Sequence, residues 1–208
     1  MSVLLLTATP LEQNRLVAEL SEPVHASVNG RSIHHGLCAG RQIDLVETGI
    51  GAVNTAHALT RTLEAKHPEF VLQVGVAGAY GGSGLQVGDL AVAAEEVYGD
   101  LGVITPAGWR AADEIGIPVV HVGGRDLFNR FPTDVEMGRR AVDLLRVADR
   151  TRVEYGPFIT VQACSGSATT GAQREAIISG ALCESMEGAA AAHVCALYDV
   201  PFVEIRAI

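Results

Sequence analysis

Lysine is almost missing from this chain: Lys66 stands alone among 15 basic residues, and the rest are arginines. No basic cluster exceeds the pair Arg139–Arg140, and the formal net charge is −9. A polyanion meets overall repulsion, so nucleic acid is excluded as a partner. The bias toward arginine reads as genome composition, not function. Cysteine is sparse and scattered, at Cys38, Cys164, Cys183 and Cys195, with no C-x-x-C spacing. That pattern argues against a zinc site or a disulfide framework. It predicts buried, reduced thiols. No apolar stretch reaches the ~18 residues of a membrane span. The opening "MSVLLLTATP" has no basic residue and too short an apolar run for a signal peptide. A cytoplasmic protein without membrane partners is expected.

What is present is core material. Of 208 residues, 48% are apolar and 19% charged, enough for a large core and one domain over 1–208. "VLLLT" reads as a buried strand, and Thr9-Pro10 opens a helix to about Leu20. "VHASV" and "RSIHHGLCA" read as strands around Asn29-Gly30, a hairpin signal. "QIDLVETG" is a strand leading to a helix over 52–66. "FVLQVGVAGA" and "GDLAVAAEEVYGD" read as strands. Residues 101–133 are broken by Gly and Pro and read as loop with short elements. An amphipathic helix follows over 134–148, then the strand "RVEYGPFITVQACSG". "TGAQREAIISG" reads as a helix stopped by Gly180. Strands and helices alternate, with hairpins among them. The expected class is α/β: a three-layer sandwich with a central mixed β-sheet. The strand-like "VPFVEIRAI" stops at Ile208, so a natural C-terminal segment is expected beyond it.

Several stretches carry chemistry. "TGIGAVN" (48–54) partly matches a dinucleotide fingerprint, but Asn54 replaces the third small residue. A tight turn before a capped helix, or a turn lining another ligand's pocket, are its other readings. "VGVAGAYGGSG" (74–84) lacks a Walker lysine; its glycines let a flat ligand approach the backbone. Glu12 is a helix-start carboxylate. His193, inside an apolar helix, reads as a core histidine. Glu187 stands at the mouth of that helix, and such a charge must be neutralised, bonded or used. Arg206 lies in an apolar strand and needs acceptors, with Glu12 and Glu187 as candidates.

Together "GIG", "VGVAGA", "GLQVGDLAVAAE", "SMEGAAAAHVC" and "VPFVEIRAI" resemble the purine nucleoside phosphorylase and nucleosidase superfamily. The nearest pattern is that of the methylthioadenosine/S-adenosylhomocysteine nucleosidases. The run "EEVYGDLGV" (95–103) is similar to futalosine hydrolases, which release hypoxanthine from futalosine on a route to menaquinone. The resemblance implies hydrolysis of a purine nucleoside, with no cofactor, no metal and a homodimer or higher homo-oligomer. It implies that Glu12 deprotonates water, that Glu187 takes the ribose hydroxyls over Met186, and that Arg206 holds the water and the acids. Ser185 is the expected cap beside Glu187. Ile50, Val76, Ala77 and Gly78 match the pocket wall, and Thr169 and Thr170 the purine edge. Gln73 stands where phosphorylases place an arginine, and "TATPLEQN" replaces their phosphate loop. An acid there repels phosphate and favours water as nucleophile.

The chain departs from the family pattern in three places. Thr169 occupies the position of an aromatic that stacks on the base, so Phe158 or Trp109 is the expected substitute. Val76 replaces a serine. The family's general acid falls just past Ile208. Beside futalosine hydrolysis stand a methylthioadenosine/S-adenosylhomocysteine nucleosidase, a non-catalytic nucleoside-binding protein of the same fold, and an NAD(P)-binding protein.

Overall fold

The computed structural model describes residues 2–28, 31–149 and 151–208. In chain order the elements are β1 (Ser2–Thr7), α1 (Pro10–Ala18), β2 (Ser21–Val28), β3 (Arg31–Cys38), β4 (Arg41–Glu47) and α2 (Ala52–Ala65). There follow β5 (Phe70–Val76), β6 (Gly78–Ala79), β7 (Leu90–Tyr98), β8 (Gly102–Thr105), β9 (Gly108–Ala111), β10 (Val120–Val122), β11 (Arg125–Leu127) and β12 (Arg130–Pro132). The last are α3 (Val135–Asp149), β13 (Val153–Thr160), α4 (Ala168–Glu175), β14 (Cys183–Ser185), α5 (Gly188–Tyr198) and β15 (Phe202–Ala207). The turn predicted at Asn29-Gly30 lies outside the described residues, but β2 and β3 pair antiparallel around it.

The main sheet is mixed, in the order β2-β3-β4-β1-β5-β15-β7-β13-β14-β6, with β12 added against β7. Strands β4, β1, β5 and β15 run parallel. β15 then pairs antiparallel with β7, and β13 runs parallel to β7. Two small hairpins, β8-β9 and β10-β11, stand apart. The region 101–133, expected as loop with short elements, holds five short strands.

The helices cover both faces. Leu4, Leu6, Val71 and Phe202 pack with Leu59 and Leu63 of α2 and Ala191 of α5. Val92 and Ile205 pack on the opposite face against Val142 of α3. The three-layer α/β expectation holds. Helix α5 is apolar on all sides and buried through most of its length, as its composition requires. His193 is the expected core histidine: it stacks on Phe131 at 4.6 Å, and its Nδ1 meets the Tyr98 hydroxyl at 3.3 Å. The thiols differ from expectation. Cys183 and Cys195 are buried, whereas Cys38 and Cys164 are exposed. Among the described residues, no helix is long and apolar enough to cross a membrane.

Candidate active site

Four segments end close together: β5 at Val76, β15 at Ala207, the turn before α2, and the bend between β14 and α5. Alternate strand residues share a face, so Glu204 and Arg206 of β15 point the same way as Phe202, toward α5. Arg206 is 1% exposed and Glu187 4%. Arg206 Nη2 donates to Glu187 Oε2 at 3.2 Å. The Gly51 amide donates to the other Glu187 oxygen at 3.0 Å. Gly51 has φ of 90°, which glycine alone adopts freely. "TGIGAVN" is thus a tight turn that opens α2 and ties Gly51 to Glu187.

Arg206 has a second acid, which the sequence reading missed. Its Nε donates to Glu204 Oε1 at 2.6 Å. Its Nη1 donates to the Val76 carbonyl at 3.2 Å. Burial disfavours the charged guanidinium, but Glu204 and then Glu187 outweigh it and raise the pKa above that of an ordinary arginine. The signal was present: Glu204 and Arg206 are two apart in one strand and so share a face.

Glu12 reaches the same place from α1. Its Oε2 accepts from the amides of Ala8 and Thr9, both at 2.9 Å, and its own amide donates to Thr9 Oγ1, closing a capping box. Its Oε1 accepts from the Val76 amide at 3.0 Å. Val76 thus binds Glu12 through its N–H and Arg206 through its carbonyl. Glu12 Oε1 and Arg206 Nη1 both lie 2.5 Å from where a Cβ on Gly75 would stand. The two groups sit side by side above that glycine.

The cap beside Glu187 is not the expected one. Ser185 belongs to β14, and its buried hydroxyl has no partner among the described residues. Glu187 is itself the residue that opens α5, and its side chain makes no cap bond. The start of α5 is held instead by Thr160, whose Oγ1 accepts from the Ala189 amide at 2.7 Å.

The other expected residues divide. Ile50 and Val76 are exposed beside Glu187 and Glu12, and Met186 is half-buried in the bend before α5. The Ala77 amide donates to the Ala207 carbonyl at 2.9 Å. Gly78 lines a cavity of about 570 Å³ with Tyr80, Ser165, Ser167, Ala168 and Glu184. Thr170 lines a different cavity with Trp109 and Arg174. Thr169 is exposed on α4 and lines neither. Phe158 is fully buried between Leu85 and Leu182, so it is core and cannot stack on a base.

Glu184 is a second missed acid. It accepts from the Tyr80 hydroxyl at 3.1 Å, the Ser165 amide at 2.5 Å and the Ser165 hydroxyl at 2.8 Å, and it pairs with Arg174 at 3.3 Å. Burial alone would raise its pKa, but the bonds from Ser165, Tyr80 and Arg174 prevail and hold it low. It is a carboxylate at neutral pH.

The phosphorylase superfamily model matches residues 2–208. A 5'-methylthioadenosine/S-adenosylhomocysteine nucleosidase of Chromohalobacter salexigens is 30% identical, over 95% of this chain and 79% of its own length. That of Bacillus cereus is 29% identical, over 100% of this chain and 85% of its own. The crystal structure of the Neisseria meningitidis enzyme of that name, in complex with methylthio-immucillin-A, superposes with a TM-score of 0.85. It has 26% identity, over 99% of this chain and 84% of that one. The chain belongs to the phosphorylase superfamily, as an N-glycosyl hydrolase of the nucleosidase kind.

Proposed function

We propose that the protein hydrolyses the N-ribosidic bond of a purine nucleoside, a small molecule held between Glu187 and the cavity beside Gly78. The observation that carries this is the approach of Glu12 and Glu187 to one guanidinium, through Val76 and directly. Cleavage builds positive charge on the ribose, as in glycoside hydrolysis. Glu187 faces that charge and takes the ribose hydroxyls, with Met186 beneath the sugar. Glu12 orients and deprotonates the attacking water. Arg206 fixes Glu187 and helps to place the water. Ile50, Val76, Ala77 and Gly78 form the wall. An acid where a phosphate would enter favours water over phosphate.

The names of the curated relatives favour 5'-methylthioadenosine or S-adenosylhomocysteine as substrate. Three features favour a second reading, futalosine, cleaved to hypoxanthine and dehypoxanthine futalosine on the route to menaquinone. The run "EEVYGDLGV" is one. Thr169 in place of a stacking aromatic is another. The third is the ionised Glu184 on the cavity beside Gly78, which would accept from hypoxanthine N1–H, where adenine presents a lone pair. The full-length protein, incubated separately with methylthioadenosine, S-adenosylhomocysteine and futalosine, is expected to release free purine without phosphate. The fastest turnover assigns the substrate. A strict need for phosphate, or no purine from any of the three, would reject the hydrolase. Leu11 and Val53, each 82% exposed, lie with Ile50 and Val76 at the ends of the site's segments. A second copy covering them would give the homodimer, which sedimentation can test.

A further inference from the structure

Beneath the site lies a carboxylate pair that the proposed chemistry leaves unused. Glu96 of β7 and Glu204 of β15 are both 0% exposed. Glu96 Oε1 and Glu204 Oε2 both stand over Gly188, where an added Cβ would collide with each. Neither oxygen has a donor among the described residues. Their other oxygens are engaged: Glu96 Oε2 accepts from Thr160 Oγ1 at 2.7 Å, and Glu204 Oε1 from Arg206 Nε at 2.6 Å.

Two ionised carboxylates with bare oxygens face to face in a dry core repel each other and lack the bonds that burial demands. One proton between them removes the repulsion and supplies the missing hydrogen bond. Charge balance points the same way. Among the described residues, three buried acids, Glu96, Glu187 and Glu204, surround a single buried cation, Arg206. Burial first, and the charge of Glu204 second, push the Glu96 carboxyl well above the usual range.

The bonds around the pair form a continuous chain. The Ala189 amide at the start of α5 donates to Thr160 Oγ1, and Thr160 donates to Glu96. Across the shared oxygens, Glu204 holds Arg206, and Arg206 holds Glu187. We propose that Glu96 and Glu204 share one proton and act as a positioning pair that holds the Arg206 guanidinium against Glu187. The positioning role rests on the hydrolase reading above; the shared proton does not. The charged or titratable groups acting on Glu96 are Glu204 and Arg206 from β15, Cys183 from β14 and Tyr98 from its own strand.

The test compares Glu96→Gln with Glu96→Ala in the full-length protein. The Gln amide donates to Glu204 as the proton did, so kcat and KM should stay within about threefold of wild type. Glu96→Ala should lose about tenfold or more in kcat with little change in KM. Gln also fills the space of Glu, so packing alone would give the same kinetic pattern, and the pH arm separates the two. The second arm is unfolding by urea across pH. Between the ordinary carboxylate pKa and that of the pair, native wild type holds a proton that the unfolded chain has lost, so its stability falls as pH rises. Glu96→Gln should lack that fall. Equal slopes in the two proteins, or a kcat as low in Glu96→Gln as in Glu96→Ala, would overturn the proposal. Should Glu96→Gln not fold, the infrared carbonyl stretch of a protonated carboxyl in wild type at about pH 8 decides, because exposed carboxyls are ionised there. Its absence overturns the shared proton. If wild type turns over no nucleoside, the hydrolase reading and the positioning role fail together, and the slopes still decide the proton.

Discussion

Arg206 Nη2 lies 3.2 Å from Glu187 Oε2, and both side chains are sealed from solvent. The pair fixes the Glu187 side chain beside the proposed sugar position. Glu187→Gln keeps the shape and removes the charge. Turnover of the preferred nucleoside is expected to fall by roughly 10²-fold, the scale of electrostatic groups that meet developing charge. Steady-state kinetics on folded protein check this, and near-normal turnover would remove Glu187 from the chemistry.

Glu12 has two tasks that one substitution separates. A capping box accepts Glu or Gln at its third position, so Glu12→Gln should keep the cap and lose only the Val76 amide bond to the second oxygen, a smaller loss of stability than in Glu12→Ala. The lost base should cost about 10²–10⁴-fold in kcat. Glu12→Ala should lose the activity and about 1 kcal/mol of stability as well. Paired kinetics and melting curves distinguish the variants; equal activity in Glu12→Gln and wild type defeats the base assignment.

Arg206→Ala should be severe. Removing the sole cation among buried acids leaves uncompensated charge, at a cost of about 3–5 kcal/mol. Urea denaturation measures it. A loss under about 1 kcal/mol would mean that water reaches the cluster and screens it.

Gly188→Ala probes the packing over the buried pair. The new methyl would collide with carboxylate oxygens of Glu96 and Glu204. Overpacking of this kind costs about 1–3 kcal/mol. Since the colliding groups hold Arg206, kcat should fall too. A variant as stable and active as wild type would show that the pair can move apart freely.

Acid should loosen the contact between α5 and β12. Burial lowers the pKa of His193, which packs on Phe131. A folded pKa below the unfolded value means that the unfolded chain binds the proton first. The contribution is therefore complete above about pH 6.5 and is lost as pH falls through the lower folded value. Melting temperatures between about pH 7 and 5 should drop more in wild type than in His193→Gln.

The fold class was legible in the alternation of strands and helices, and Glu12 only through the family resemblance; Arg206 and Glu187 were legible for a common reason. An arginine inside an apolar strand and an acid at the mouth of an apolar helix contradict local burial, and such contradictions mark sites. Glu96, Glu184 and Glu204 were not singled out. Glu184 and Glu204 are single acids in short strands, Glu96 is one of two adjacent acids in β7, and only the antiparallel pairing of β15 with β7 brings Glu204 near Glu96. That register joins residues more than a hundred positions apart, and no local pattern encodes it. Phe158 misled for a different reason. Phe158, Ile159 and Thr160 are all fully buried, so β13 is covered on both faces there and an aromatic in it serves the core, which its sequence alone does not reveal. The hairpins in 101–133 have strands of only three or four residues, too short for alternation to stand out.

Val76 grips Glu12 with its amide and Arg206 with its carbonyl. Whatever tilts this residue shifts Glu12 and the Arg206 that holds Glu187 at once, and so both acids of the proposed chemistry. Improvement of one half of the catalyst cannot be sought independently of the other. Variation in this enzyme should therefore accumulate around the cavity beside Gly78, where Glu184 and α4 can change without disturbing those Val76 contacts.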